Sequence, residues 1–86
     1  MKYQIGTTVA TPYSNGYRIV GYATLNDTRG YLVHRPFDGW LPKTSVFFEG
    51  LKDVEVDPEY ADACLWFYYE EAIEHEVCPQ CGLQHN

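Results

Sequence analysis

Basic side chains are scarce in this chain, whose 86 residues hold six Lys or Arg against twelve Asp or Glu, for a formal net charge of −6. The deficit is local. Residues 46–86 carry ten acids against Lys52 alone, whereas residues 1–45 carry five Lys or Arg against Asp27 and Asp38. An acidic second half repels nucleic acid and favours a basic partner. Long apolar runs are also missing. No uncharged apolar stretch reaches the ~18 residues that span a bilayer, and Met1–Gly6 lacks an apolar signal core, so no membrane association and a cytoplasmic location are expected. Cysteine is limited to three, an odd number that excludes a closed disulfide framework and fits a reducing compartment. Internal repeats and low-complexity segments are absent. A chain this short buries roughly 60 to 65% of its unfolded surface, which leaves room for one thin core. The expectation is a single domain over residues 1–86.

Aromatics are abundant, with eight Tyr, four Phe and two Trp. They are the means by which a small domain gains buried area per residue. From Thr7 to Glu49, short β-rich runs are broken by turn signals every 8 to 12 residues, the pattern of a small barrel or sandwich. Thr7–Thr11 is β-branched, Asn15-Gly16 reads as a turn, and Tyr17–Leu25 reads as a long strand with Tyr17, Ile19, Gly21, Ala23 and Leu25 on one face. Gly21 in mid-strand marks a bend or bulge. Asn26–Gly30 is the next turn and Tyr31–Arg35 the next strand. Leu41–Ser45 then makes a short helical turn before a strand at Val46-Phe47-Phe48.

The string Gly39-Trp40-Leu41-Pro42-Lys43-Thr44-Ser45-Val46 resembles the fourth strand, 3₁₀ turn and fifth strand of SH3-like small barrels, the broad group that includes SH3, KOW and Tudor domains. The resemblance covers about residues 5–50 and implies a fold rather than a function. It places Trp40 or Leu41 in a core with Val9, Ile19 and Val33. Residues 51–56 follow as a connecting strand or linker. Asp57-Pro58-Glu59 is a helix start, with Asp57 as N-cap and Pro58 at the first helical position. A helix over 57–76 would carry Ala61, Cys64, Leu65, Tyr68, Ala72 and Ile73 on an apolar arc, and Glu59, Glu70, Glu71 and Glu74 opposite. The expected fold class is therefore α+β: an SH3-like antiparallel barrel followed by one acidic amphipathic helix and a Cys-containing tail over 77–86.

Chemistry is concentrated at the end of the chain. Cys78-Pro79-Gln80-Cys81-Gly82 resembles a single knuckle of the zinc ribbons and rubredoxins, in which two thiolates converge on one metal. His75, Cys78, Cys81 and His85 supply four donors suited to tetrahedral Zn²⁺. Three outcomes stay open: a site completed by the histidines, a Cys site shared by two chains of a homodimer, or no metal. Cys64 reads as a small buried hydrophobe. A glutaredoxin-like role for Cys78 and Cys81 would need a helix after the dithiol, and five residues do not make one. His34 with Ser14, Ser45 and Asp38 lacks a nucleophile elbow, so the chain is not expected to be an enzyme.

On the expected helix, Phe67 and Tyr60 fall among the acids. An aromatic on a charged face marks an interaction surface. The partner-binding set is therefore Phe67, Tyr60, Glu70, Glu71 and Glu74, docking on a basic protein surface in a non-catalytic interaction module. Small acidic products of phages and mobile elements that block a host factor share this size and charge, and an inhibitor of that type is the corresponding expectation. The alternatives are a nucleic-acid-binding barrel using Arg18, Arg29, Arg35 and Lys43 with Tyr17, Tyr31 and Trp40 for stacking, or a small zinc-binding accessory protein.

Overall fold

The computed structural model describes residues 2–35 and 46–77. Trp40, Lys43 and the rest of the Gly39–Ser45 string, together with Cys78, Cys81 and His85, lie outside the described residues. What is described is an antiparallel sheet of six strands. These are β1 (Thr8–Thr11), β2 (Ser14–Leu25), β3 (Thr28–His34), β4 (Lys52–Val56), β5 (Trp66–Tyr69) and β6 (His75–Glu76). One helical turn, α1 (Val46–Glu49), and two 3₁₀ turns, Pro58–Tyr60 and Glu70–Ala72, complete the elements.

The strands run in the order β5-β3-β2-β1-β6, and β4 lies against β2. The connection from β5 to β6 holds only Glu70–Glu74, three of which form a 3₁₀ turn. At ~2 Å per 3₁₀ residue and ~3.3 Å per extended residue it reaches about 16 Å, short of the ~19 Å across four flat strand spacings. The sheet therefore curls toward closure, as in a small barrel.

β2 makes this curvature possible. Its first half pairs with β1 (Thr8 with Arg18, Val9 with Tyr17), and its second half pairs on the same side with β4 (Gly21 with Val56, Tyr22 with Glu55). The changeover falls at a register shift between Ile19 and Gly21. A Cβ at Gly21 would run into the Glu55 carbonyl and stand 3.0 Å from Val56 Cα, so β4 approaches this closely because residue 21 has no side chain. The shift also moves the strand's side chains across the sheet. Tyr17 and Ile19 join one apolar cluster, while Val20 and Ala23 join the other, so the single face expected from Tyr17 to Leu25 is divided.

Asn26 and Asp27 both adopt left-handed backbone (φ 52° and 64°), which makes a two-residue hairpin turn of the type whose twist matches its strands. Leu25 is thereby paired with Thr28, and β3 starts three residues earlier than the turn signals imply. The first turn is likewise displaced: Thr11 pairs with Ser14, so Pro12-Tyr13 make the turn and Asn15-Gly16 lie within β2.

Two clusters fill the two sides of the sheet. Val20, Ala23, Leu32, Leu51, Leu65 and Phe67 form one, and Val9, Tyr17, Ile19, Tyr31, Val33 and Ile73 form the other. Successive residues of β3 alternate between them, as the pleat requires.

The C-terminal amphipathic helix does not form, and no helix of seven residues or more exists among the described residues. Its start signal is real but brief. Asp57 caps the Pro58–Tyr60 turn by accepting from Glu59 N–H at 3.0 Å, and one 3₁₀ turn follows before the chain leaves helical geometry. Trp66-Phe67-Tyr68-Tyr69 then pairs with β3, Val33 opposite Trp66 and Gly30 opposite Tyr69. Four consecutive aromatics lose rotamer freedom in a helix and fit a pleated surface, here with Phe67 buried on one side and Trp66 and Tyr68 half-buried on the other. Residues 57–76 thus supply β5 and β6 instead of a helix. The fold is a small, mostly antiparallel β domain rather than barrel plus helix. Val46–Glu49 is correspondingly a helical turn rather than a strand.

Candidate functional site

Alternation along β5 sends Phe67 and Tyr69 to one side and Trp66 and Tyr68 to the other. Phe67, 9% exposed, lies over Gly30, where a Cβ would come within 2.8 Å of its Cε2, and meets Tyr69 edge-on at 5.2 Å. The residue expected to be an exposed anchor is packed in the core.

The opposite side carries the aromatic surface. Trp66 and Tyr68 are half-buried and nearly parallel (7°), with ring centres 6.3 Å apart. Tyr13, at the β1–β2 turn, continues the row: its ring lies 6.2 Å from that of Tyr68 at 21°. Tyr17 stands beneath, edge-on to both Trp66 and Tyr68, and accepts a hydrogen bond from the Tyr68 hydroxyl at 3.2 Å. Burial, reinforced by that bond, pushes the Tyr68 phenol upward in pKa, so it stays neutral. Tyr13 is 77% exposed although it belongs to this row.

Beside the row lies an anchored N-terminal segment. The backbone N–H groups of Lys2 and Tyr3 donate to the Tyr31 hydroxyl at 3.0 and 3.1 Å, and that hydroxyl donates to Glu70 Oε1 at 2.7 Å. Lys2 N–H also donates to Glu70, at 2.9 Å, and the Tyr22 hydroxyl donates to Tyr3 O. Burial, with Glu70 alongside, pushes Tyr31 up to about 12. The Tyr31 hydroxyl, helped by Lys2 N–H, holds the Glu70 carboxyl below its usual range.

Compared with known proteins, the chain matches no family model, no curated protein and no solved structure. The site is therefore read from its own geometry.

The acids singled out by sequence remain together without a helix. Glu70 and Glu71 lie in the turn that follows β5, and the N–H of exposed Glu74 donates to Ala10 O at 2.9 Å. Tyr60 is apart from them, half-buried, with its ring 4.8 Å from that of His34. Of the nucleic-acid set, Arg18, Arg29, Arg35, Tyr17 and Tyr31 are among the described residues. Tyr17 and Tyr31 are buried and offer no face to a base, and Arg29 donates to Thr24 Oγ1 and Asp53 O while pairing with Glu55 at 3.2 Å. His75 lies on β6, its Nδ1 3.2 Å from Glu76 O. Among the described residues no group of three or more His, Cys, Asp or Glu side chains is gathered to hold a metal. Cys64 is exposed, not buried. Among the described residues no helix is long and apolar enough to cross a membrane.

Sequence reasoning missed Tyr13. Its signal was available: an aromatic next to Pro12, between a β-branched run and a second strand, sits at a turn tip where it cannot enter the core.

Proposed function

We propose that this chain is a non-catalytic protein-interaction module whose contact surface is the row Tyr13–Tyr68–Trp66 and whose partner is basic. The observation that carries the reading is Tyr13, a large ring left in solvent yet aligned with two half-buried rings. Rigid aromatics of this kind supply contact area at low entropy cost. Glu70, Glu71 and Glu74, just beyond β5, provide the charge that steers a cationic partner. The fold reading that accompanies this is an SH3-like barrel. Support comes from β5, the Glu70–Ala72 3₁₀ turn and β6, which succeed one another as fourth strand, turn and fifth strand; the sequence had suggested that succession at Trp40–Val46.

The test uses defined probes: a Lys/Arg-rich peptide, a Glu-rich peptide of equal length and single-stranded oligo-dT, each followed by fluorescence anisotropy. Tight, salt-sensitive binding of the basic peptide alone, weakened about 30-fold by Tyr13→Ser, is the expected result for a hot spot of ~2 kcal/mol. Preference for oligo-dT would instead favour base stacking and the nucleic-acid reading.

A further inference from the structure

Asn15-Gly16 occurs once in the chain and lies within β2 rather than at a turn. Thr11 stands opposite Ser14 and Val9 opposite Tyr17, so two steps along β1 match three along β2, and Asn15 and Gly16 share the place facing Ala10. Such a bulge interrupts regular pairing and bends the strand. Both residues are exposed, and the Gly16 N–H donates to Ser14 Oγ, in its own strand, at 3.3 Å. Backbone conformation does not call for glycine here. The φ of Gly16 is not positive, and among the described residues a Cβ at this position would meet only Ser14 Oγ, at 3.9 Å, an ordinary contact. Glycine otherwise weakens a strand. What it supplies at position 16 is an unhindered backbone nitrogen beside an exposed carboxamide.

We propose that Asn15-Gly16 is a self-modification site, at which Asn15 is converted to aspartate or isoaspartate with water as the only co-reactant. Hydroxide removes the proton of the Gly16 N–H, and the nitrogen attacks the side-chain carbonyl carbon of Asn15. The new C–N bond closes a cyclic imide, while the carboxamide nitrogen leaves as ammonia and takes a proton back from water. Water then opens the imide at one of its two carbonyls, giving aspartate or isoaspartate. The balance is water in and ammonia out, with no oxidation or reduction. Closure is favoured because residue 16 has no Cβ to crowd the ring. The product is ionised at neutral pH and stands two residues after Tyr13, in a half of the chain whose acids are otherwise Asp27 and Asp38. Isoaspartate also lengthens the main chain inside the bulge, which displaces the hairpin that carries Tyr13. The conversion itself does not depend on whether the aromatic row binds a partner.

The test incubates the full chain at mildly alkaline pH in water enriched in heavy oxygen and follows each Asn by peptide mapping and mass spectrometry. Asn15 should take up the label and yield both isomers, the signature of an imide opened at either carbonyl. Asn26 is equally exposed but is followed by Asp27, whose side chain hinders closure, so it should lag well behind. Gly16→Ala, whose Cβ the bulge accommodates, should slow conversion of Asn15 by roughly tenfold or more. Conversion no faster at Asn15 than at Asn26, or equally fast in Gly16→Ala, would overturn the assignment. A native chain that stays unmodified while its urea-unfolded form converts would also overturn it, because the bulge would then shield the pair. In the converted protein the Tyr13 ring resonances should move, and unchanged resonances would overturn the link to the hairpin.

Discussion

Replacing Phe67 by Ala separates a core role from a surface role for the ring. Phe67 is 9% exposed, lies on Gly30 and meets Tyr69 edge-on at 5.2 Å, so truncation removes a buried ring that its neighbours cannot easily replace. Such changes cost about 3–5 kcal/mol, and at 9% exposure a value of about 3–4 is expected. A domain of this size is stable by roughly 5–10 kcal/mol, with a melting shift of about 4–8 °C per kcal/mol. Urea and thermal unfolding should therefore show a loss of about 12 °C or more. Gly30→Ala supplies an internal control. In the native chain its Cβ meets both the Phe67 ring and the Tyr68 carbonyl and is destabilising, whereas in the Phe67→Ala background only the carbonyl contact remains, so its cost should fall without vanishing. The double-mutant cycle thus predicts strong coupling. A loss under 1 kcal/mol for Phe67→Ala, or additive effects for the pair, would refute the placement of the ring on Gly30.

Gly21→Ala should destabilise by about 1–3 kcal/mol, read by urea unfolding, because its Cβ collides with the Glu55 carbonyl and β4 must shift. Because the folded Glu70 carboxyl is held below its unfolded pKa, its contribution is complete above the unfolded value and is lost as pH falls through the folded value. Tyr31→Phe should flatten that acid-side dependence and speed exchange of the Lys2 and Tyr3 amides, as measured by NMR. Metal analysis of protein purified under reducing conditions without chelator should find about one zinc per chain if His75 and His85 complete the Cys78–Cys81 pair, or one per two chains for a shared site; zinc-free protein would leave the two as free or reducible thiols.

Legibility in the sequence followed how local each cause was. The bend at Gly21 and the Asp57 cap occur where those residues stand, and the turn after Leu25 opens at Asn26 as expected but closes at Asp27, so Thr28–Gly30 belong to β3 rather than to the turn. Residues 57–76 failed because the deciding force is tertiary. Their central run Leu65–Tyr69 is apolar at every position and so satisfies a helical period and a strand period alike, and only the availability of β3 as a partner selects the strand. The run of four aromatics was the local clue, outweighed by the Ala and Glu residues on either side of it. Phe67 was consequently placed among acids, where a strand instead sends it inward over Gly30. Tyr13 could not be aligned with Tyr68, 55 positions away, without knowing that the sheet curls.

The most direct measurement of the central claim is a map of NMR shift changes in the backbone and aromatic side chains as a Lys/Arg-rich peptide is added to the full chain. The account predicts the largest changes at Tyr13, Trp66 and Tyr68, smaller ones at Glu70 and Glu71, and little at Arg29 and Glu55. Changes confined to the Arg29–Glu55 side, or a basic peptide that moves no aromatic resonance of the row, would contradict it.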